Sequence, residues 1–302
     1  MRGVRLGRMH WETRVTGRDS GTDWRDRDSG TDCRGRDSGT DSRGRDSGTD
    51  CHFSPTARKT ESGPAEWVRE RLGLAVDPLQ ARVLSTGKKR GVLNCSRQWG
   101  KSTITAAKAV HQAQTEAGSL TLVVSPSARQ SGEFLRKASA FVRMLKIGVK
   151  GDGDNEMSLA MPNGSRIVGL PGTEPTIRGF SAVSLLLVDE ASRVSDDAYL
   201  AVRPTLATSD GALWLMSTPW GKRGFFYEAW TNGGPEWERI LASATECARI
   251  GASFLEEERR TMGERWYRRE YLCEFEDSVS SVFGRDLVER AITEAVEPLM
   301  LG

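Results

Sequence analysis

The sequence predicts an α/β fold, a mostly parallel sheet flanked by helices, over residues 60–283, and three observations carry that prediction. β and α signals alternate from Asp77 to about residue 245. A Gly-Lys-Ser triplet, Gly100 to Ser102, lies between a short apolar strand and an Ala-rich helix. An unbroken apolar run, Leu185 to Val188, ends in two acids, as strands do at the centre of a parallel sheet covered on both faces.

The chain has 302 residues, enough for one large domain or two small ones, and its 37% hydrophobic content suits a globular protein. A formal charge of +2 neither marks nor excludes a nucleic-acid partner, since a local basic surface suffices. No apolar stretch approaches the roughly 18 residues of a membrane span, so no membrane association is expected. The five cysteines (Cys33, Cys51, Cys95, Cys247, Cys273) form no CxxC pair, which fits free thiols in a reducing compartment. His10, His52 and His111 are scattered, and a zinc site is not expected.

Residues 1–59 read as a low-complexity tail. Residues 18–52 carry a tandem nine-residue repeat, RDSGTDWRD, RDSGTDCRG, RDSGTDSRG and RDSGTDCHF. Calcium-binding β-roll repeats need paired glycines and an apolar residue in each turn, and here Arg stands near the apolar place. Balanced charge with Gly and Ser predicts a disordered tail. Order is expected to begin near Thr60.

In PAEWVRERLGL, Trp67, Val68 and Leu72 have helical spacing. Asp77-Pro78-Leu79-Gln80 opens a second helix, with Asp as N-cap and Pro at the first position. Val92 to Cys95 is an apolar strand, and ITAAKAVHQAQTEAG after Thr103 is a helix with Gly118 placed to terminate it. Ser96, Arg97, Gln98, Trp99, Gly100, Lys101, Ser102 and Thr103 therefore join a strand to a helix N-terminus. Exposed N–H groups and the helix dipole bind phosphate there. Lys101 is expected to reach the β- and γ-phosphates of a nucleotide, and the Ser102 hydroxyl to ligate Mg²⁺. GxxxxGK[ST] asks for glycine at position 95, where this chain has Cys95.

Asp189 and Glu190 close the acidic strand at the edge where ligands bind in open α/β sheets. Asp189 is placed to hold Mg²⁺ through its water shell, and Glu190 to act as general base toward an attacking water. A third strand, Ala212 to Met216, ends in Ser217-Thr218-Pro219, hydroxyls that either sense a γ-phosphate or merely end a strand. Met157–Val168 alternates around Asn163-Gly164 and reads as a hairpin. Arg129, Arg136, Lys137, Lys222 and Arg223 either face DNA phosphates or are solvated charge.

SRQWGKST, LLLVDEA, STPWGKRGFFYEAW and REYLCEF together resemble the ATPase domain of tailed-phage terminase large subunits, over roughly residues 60–283. The resemblance implies a P-loop NTPase of the RecA/ASCE type, with ATP and Mg²⁺ as ligands. It makes Gln80 the adenine-recognising glutamine and Glu190 the catalytic acid, with Asp189 and Ser102 at the metal. Ser217, Thr218 and Pro219 match the segment that couples hydrolysis to motion. Arg97 matches a loop arginine acting as a finger within one subunit, and Arg178 one that reaches a neighbour's nucleotide. The residues do not choose between these arginines. The implied partners are double-stranded DNA, a small terminase subunit, a portal and further copies in a ring, in the cytoplasm of a bacterial host. Relatives continue into a nuclease domain. Residues 284–302 are expected to be a linker toward it, and Asp286 with nearby glutamates makes no metal cluster, so no nuclease activity is expected from this chain. Two other readings are a helicase-like DNA-stimulated ATPase and a non-catalytic prophage remnant that still binds nucleotide.

Overall fold

The computed structural model describes residues 63–151, 157–172 and 179–277. The repeat-bearing tail, Arg178 and the stretch around Asp286 lie outside them.

Two short helices lead in. α1 (Pro64–Leu72) buries Ala65, Val68 and Leu72 and ends on Gly73 in the left-handed conformation. α2 (Pro78–Ser85) starts at a full capping box: Asp77 accepts from the Gln80 N–H at 2.8 Å, and Gln80 Oε1 accepts from the Asp77 N–H at 3.2 Å. Then follow β1 (Arg90–Cys95), α3 (Lys101–Thr115), β2 (Leu120–Ser125), α4 (Ala128–Met144), β3 (Lys150–Gly151), β4 (Ser158–Ala160) and β5 (Arg166–Pro171). The second half comprises β6 (Leu185–Asp189), α5 (Asp196–Val202), β7 (Ala212–Ser217), α6 (Gly224–Thr231), β8 (Trp237–Ala242), α7 (Ala252–Met262) and α8 (Glu264–Glu270).

The strands form one sheet in the order β3-β4-β5-β2-β6-β7-β1-β8. From β5 to β8 every pairing is parallel, and β3 and β4 extend the β5 edge antiparallel. The expected hairpin is the β4–β5 pair, with Gly164 at φ 82° in its turn, where glycine adopts the left-handed backbone most readily.

Strand alternation splits the core between two faces. Leu93, Leu185, Leu187, Trp214 and Met216 face α1 to α4, whereas Val92, Leu186, Val188, Leu213 and Leu215 face α5 and α6. Burial on both sides explains why the acidic strand shows no polar alternation in sequence. A smaller cluster of Ala244, Leu255, Tyr267 and Tyr271 holds the C-terminal helices. No helix among the described residues is long and apolar enough to cross a membrane.

Candidate functional site

The sheet order makes β1 a neighbour of β7, and β7 a neighbour of β6, in parallel register. Their C-terminal ends, Cys95, Ser217 and Asp189, therefore come to one edge although they are far apart in sequence. The loop from β1 to α3 turns there through two left-handed residues, Gln98 at φ 62° and Gly100 at φ 100°. This lets α3 begin at Lys101 with its first N–H groups, which no helix can satisfy internally, directed over the strand ends.

Two contacts tie the phosphate loop to the acidic strand. Lys101 Nζ lies 3.0 Å from Glu190 Oε1, and Ser102 Oγ lies 3.2 and 3.1 Å from the two Asp189 carboxylate oxygens. Glu190 has left the strand and sits at φ 51°, ψ 45°. For a residue with a Cβ that conformation costs about 1–3 kcal/mol, and here it turns the carboxylate into the cavity toward Lys101. Ser217 Oγ reaches Glu190 Oε2 at 3.4 Å, and Ser192 bridges the Ser217 hydroxyl (2.7 Å) and the Thr218 carbonyl (2.9 Å). Burial pushes the Asp189 carboxyl up to about 6 and the Glu190 charge adds to this, while Lys101, the Ser102 hydrogen bond and Lys137 pull it back. A hydroxyl and a carboxylate this close are oxygen ligands of the kind Mg²⁺ takes, provided phosphate and water fill its other positions.

A cavity of about 640 Å³ opens over these groups. Of the expected residues, Gln80, Arg97, Gln98, Gly100, Lys101, Ser102, Thr103 and Glu190 line it. Ser96 and Trp99 are buried beneath, the indole packed in the core, so Trp99 meets the site through its carbonyl. Gln80 donates to that carbonyl at 3.1 Å. Its amide thus braces both the α2 cap and the phosphate loop, leaving one N–H and one lone pair for a ligand. Arg97 donates from Nε to Glu270 Oε2 at 2.7 Å, and its backbone N–H reaches the Glu270 carbonyl at 3.2 Å. Glu270 is 3% exposed and also faces Arg269 (3.1 Å) and Arg193 (3.8 Å). Both of those guanidiniums lie 4.4 Å from the Trp220 ring, one residue past Ser217-Thr218-Pro219. Of the basic residues left open, Lys222 pairs with Asp277 at 3.2 Å, Arg136 pairs with Glu133, and Lys137 lines the cavity.

Sequence reasoning missed Leu74, Ala75, Lys137 and Arg249 in the cavity wall, and Glu270 as the partner of Arg97. Leu74 and Ala75 follow a helix end with no special spacing. Arg249 and Glu270 meet the loop across 150 and 173 residues, a separation that no local pattern signals.

A family model for the N-terminal part of T4-like-virus-type terminase large subunits matches residues 92–290. The probable terminase large subunit of Enterobacteria phage P7 is 32% identical over 139 residues, 42% of this chain and 28% of that protein. The terminase large subunit of Thermus virus P23-45 is 24% identical over 261 residues, 74% of this chain and 54% of that one. The chain thus spans about half the length, or less, of the curated relatives it matches. Among solved structures, the large terminase ATPase domain of Thermus phage P74-26 superposes with a TM-score of 0.61 at 22% identity, covering 70% of this chain and 99% of that one. The large terminase of a thermophilic bacteriophage, solved in complex with ADP, gives 0.57 at 14% identity, covering 67% and 54%. These likenesses share the sheet and its flanking helices, and with the family match they place the chain: it belongs to the terminase large subunit family and carries that family's N-terminal α/β domain.

Proposed function

We propose that this chain is an ATP-hydrolysing motor domain that moves double-stranded DNA into a phage procapsid. The observation that carries the reading is the double contact across the strand ends, Lys101 with Glu190 and Ser102 with Asp189. It sets a phosphate-binding lysine, a metal-ligating hydroxyl and the Glu190 carboxylate on one cavity, with the buried Asp189 carboxylate bonded to that hydroxyl. The thermophilic-phage terminase, by its description, holds ADP, and the P74-26 relative is described as an ATPase domain.

Bound Mg²⁺ would be held by Ser102 and Asp189 and would neutralise charge on the β- and γ-phosphates. The α3 N-terminus and Lys101 bind the phosphate chain, and Lys101 exchanges its Glu190 partner for phosphate oxygen. Glu190, freed from that pair and held near Ser217, accepts the proton of the attacking water, a role worth about 10²–10⁴ in rate. Ser217, Ser192 and the Thr218 carbonyl connect the carboxylate to the segment leading to Trp220, a route by which hydrolysis can move that segment. Arg97 reaches the γ-phosphate only after leaving Glu270. Arg178 is proposed, on the family resemblance alone, to act on a neighbouring copy's nucleotide. A small terminase subunit, a portal, a ring of copies and the cytoplasm of a bacterial host follow from the same resemblance.

The test is Glu190→Gln. Turnover should fall by about 10²–10⁴ while MgATP still binds. Retained turnover in the variant would remove Glu190 from the chemistry.

A further inference from the structure

We propose that Arg249 contacts the nucleoside, its guanidinium stacking on the base as one wall of the cavity. The inference rests on the nucleotide reading above and adds to it a residue from the segment between β8 and α7.

That segment is pinned. The Ala244 N–H bonds the Tyr271 carbonyl (2.8 Å), the Cys247 N–H the Ala244 carbonyl (3.1 Å), and the Ile250 N–H the Cys247 carbonyl (2.9 Å). Cys247 is buried in the core cluster that holds Trp99, and Ile250 packs on it. Arg249 itself is exposed, so its side chain projects from a backbone held on both sides. Its Nη2 donates to the Trp99 carbonyl, the same oxygen that Gln80 Nε2 bonds at 3.1 Å.

Two features point to a ligand rather than a strut. The phosphate loop is already held at that carbonyl by Gln80, at Arg97 by Glu270, and at Ser96, whose N–H bonds the Ala242 carbonyl at 2.9 Å. The guanidinium, moreover, spends one of its five N–H groups on the Trp99 carbonyl and lines the cavity as a planar cation. Leu74 and Ala75 line the cavity too and give it an apolar surface, and Gln80 is the polar group beside them. A Cβ on Gly100 would lie 3.4 Å from Gln80 Nε2 and 3.7 Å from Arg249 Nη2, so both side chains flank the residue that opens α3. An apolar surface, an amide with one donor and one acceptor left, and a planar cation together suit a flat heterocycle. Such a contact is the same for a diphosphate and a triphosphate, so it tightens binding without favouring the transition state.

Calorimetric titration of the full chain with MgADP, MgATP and magnesium tripolyphosphate tests this. Arg249→Ala should weaken ADP and ATP by one common factor, about three- to thirtyfold, and leave tripolyphosphate binding unchanged. Unchanged tripolyphosphate affinity also shows that the variant is folded. Arg249→Lys should not restore the loss, because an ammonium offers no plane to stack. Equal affinity of wild type and Arg249→Ala for ADP would overturn the proposal. So would a parallel loss of tripolyphosphate, which would put the action of Arg249 on the phosphate loop. Wild-type protein that binds none of the three in a Lys101-dependent way would overturn the nucleotide reading itself, and this inference with it.

Discussion

At their N-terminal ends β1, β6 and β7 begin at Arg90, Leu185 and Ala212, and polar groups there hold neighbouring segments together. Arg90 donates to the Gly211 carbonyl at 2.7 Å, Ser209 to the Val183 carbonyl at 2.5 Å, and Lys108 to the carbonyls of Val83 (3.1 Å) and Leu84 (3.4 Å) near the end of α2. Gly91 sits beside Trp214 in register, and any Cβ there would run into the indole ring. At their C-terminal ends the same strands finish in Cys95, Asp189 and Ser217. There a lysine faces a glutamate, burial pushes an aspartate up to about 6, and non-glycine residues sit at φ 62° and 51°. The lysine–glutamate pair and the raised aspartate stand at the edge where the chemistry is proposed. The other edge, which has left-handed residues of its own (Ala182 at φ 53°, Asp210 at φ 48°) and the part-buried Lys108, is held by packing and by hydrogen bonds to backbone carbonyls. One end should therefore answer to substitution in stability, and the other in activity.

The largest expected effect is at the C-terminal edge. Lys101→Ala or Glu190→Gln should lower turnover at least about a hundredfold while the melting temperature stays near wild type. A fall in both together would erase the contrast. At the N-terminal edge, Trp214→Ala should cost about 3–5 kcal/mol in denaturant unfolding, and Gly91→Ala about 1–3 kcal/mol. Nucleotide affinity per folded molecule should be retained in each, and a selective loss of affinity would mean that the two ends are coupled.

Two pH profiles sharpen the contrast. Asp189 must be ionised to hold metal, and its folded value of about 6 lies above the ordinary 3.8. Affinity for magnesium nucleotide should accordingly fall about tenfold per unit below pH 6, as protons compete. An affinity flat down to about pH 4.5 would show that Asp189 keeps its charge. Lys108 moves the other way, burial lowering it from 10.5 to about 8. The folded state then sheds its proton before the unfolded state does. The cost of burying that charge is at its full value below about pH 8 and is relieved as pH rises toward 10.5. Tyr271 and Cys273, both raised to about 12, act in the opposite sense at high pH, so the comparison must be with Lys108→Met. Relative to that variant, the wild type should gain stability between about pH 8 and 10, the smallest of the effects. No relative gain would place the Lys108 amine in water.

Much of this division can be read from the chain alone, and the rest cannot, for physical reasons. The β/α alternation, the Asp77 cap and the two motifs are local patterns, and each stands where expected. Strand order is not local: nothing in Leu185–Asp189 says that it lies two strands from β1. Trp99, next to the motif glycine, reads in sequence as part of the phosphate loop, but its side chain belongs to the core. Arg97 and Arg249 are single arginines in irregular segments, and only the folded chain shows one held by Glu270 and the other by the Trp99 carbonyl.

The measurement closest to the central claim is ATP hydrolysis by the full chain, with and without linear duplex DNA, beside Lys101→Ala. Mg²⁺-dependent turnover that DNA accelerates and that the variant lacks is the predicted result. Turnover unaffected by Lys101→Ala would contradict the site, and turnover indifferent to DNA would contradict the motor.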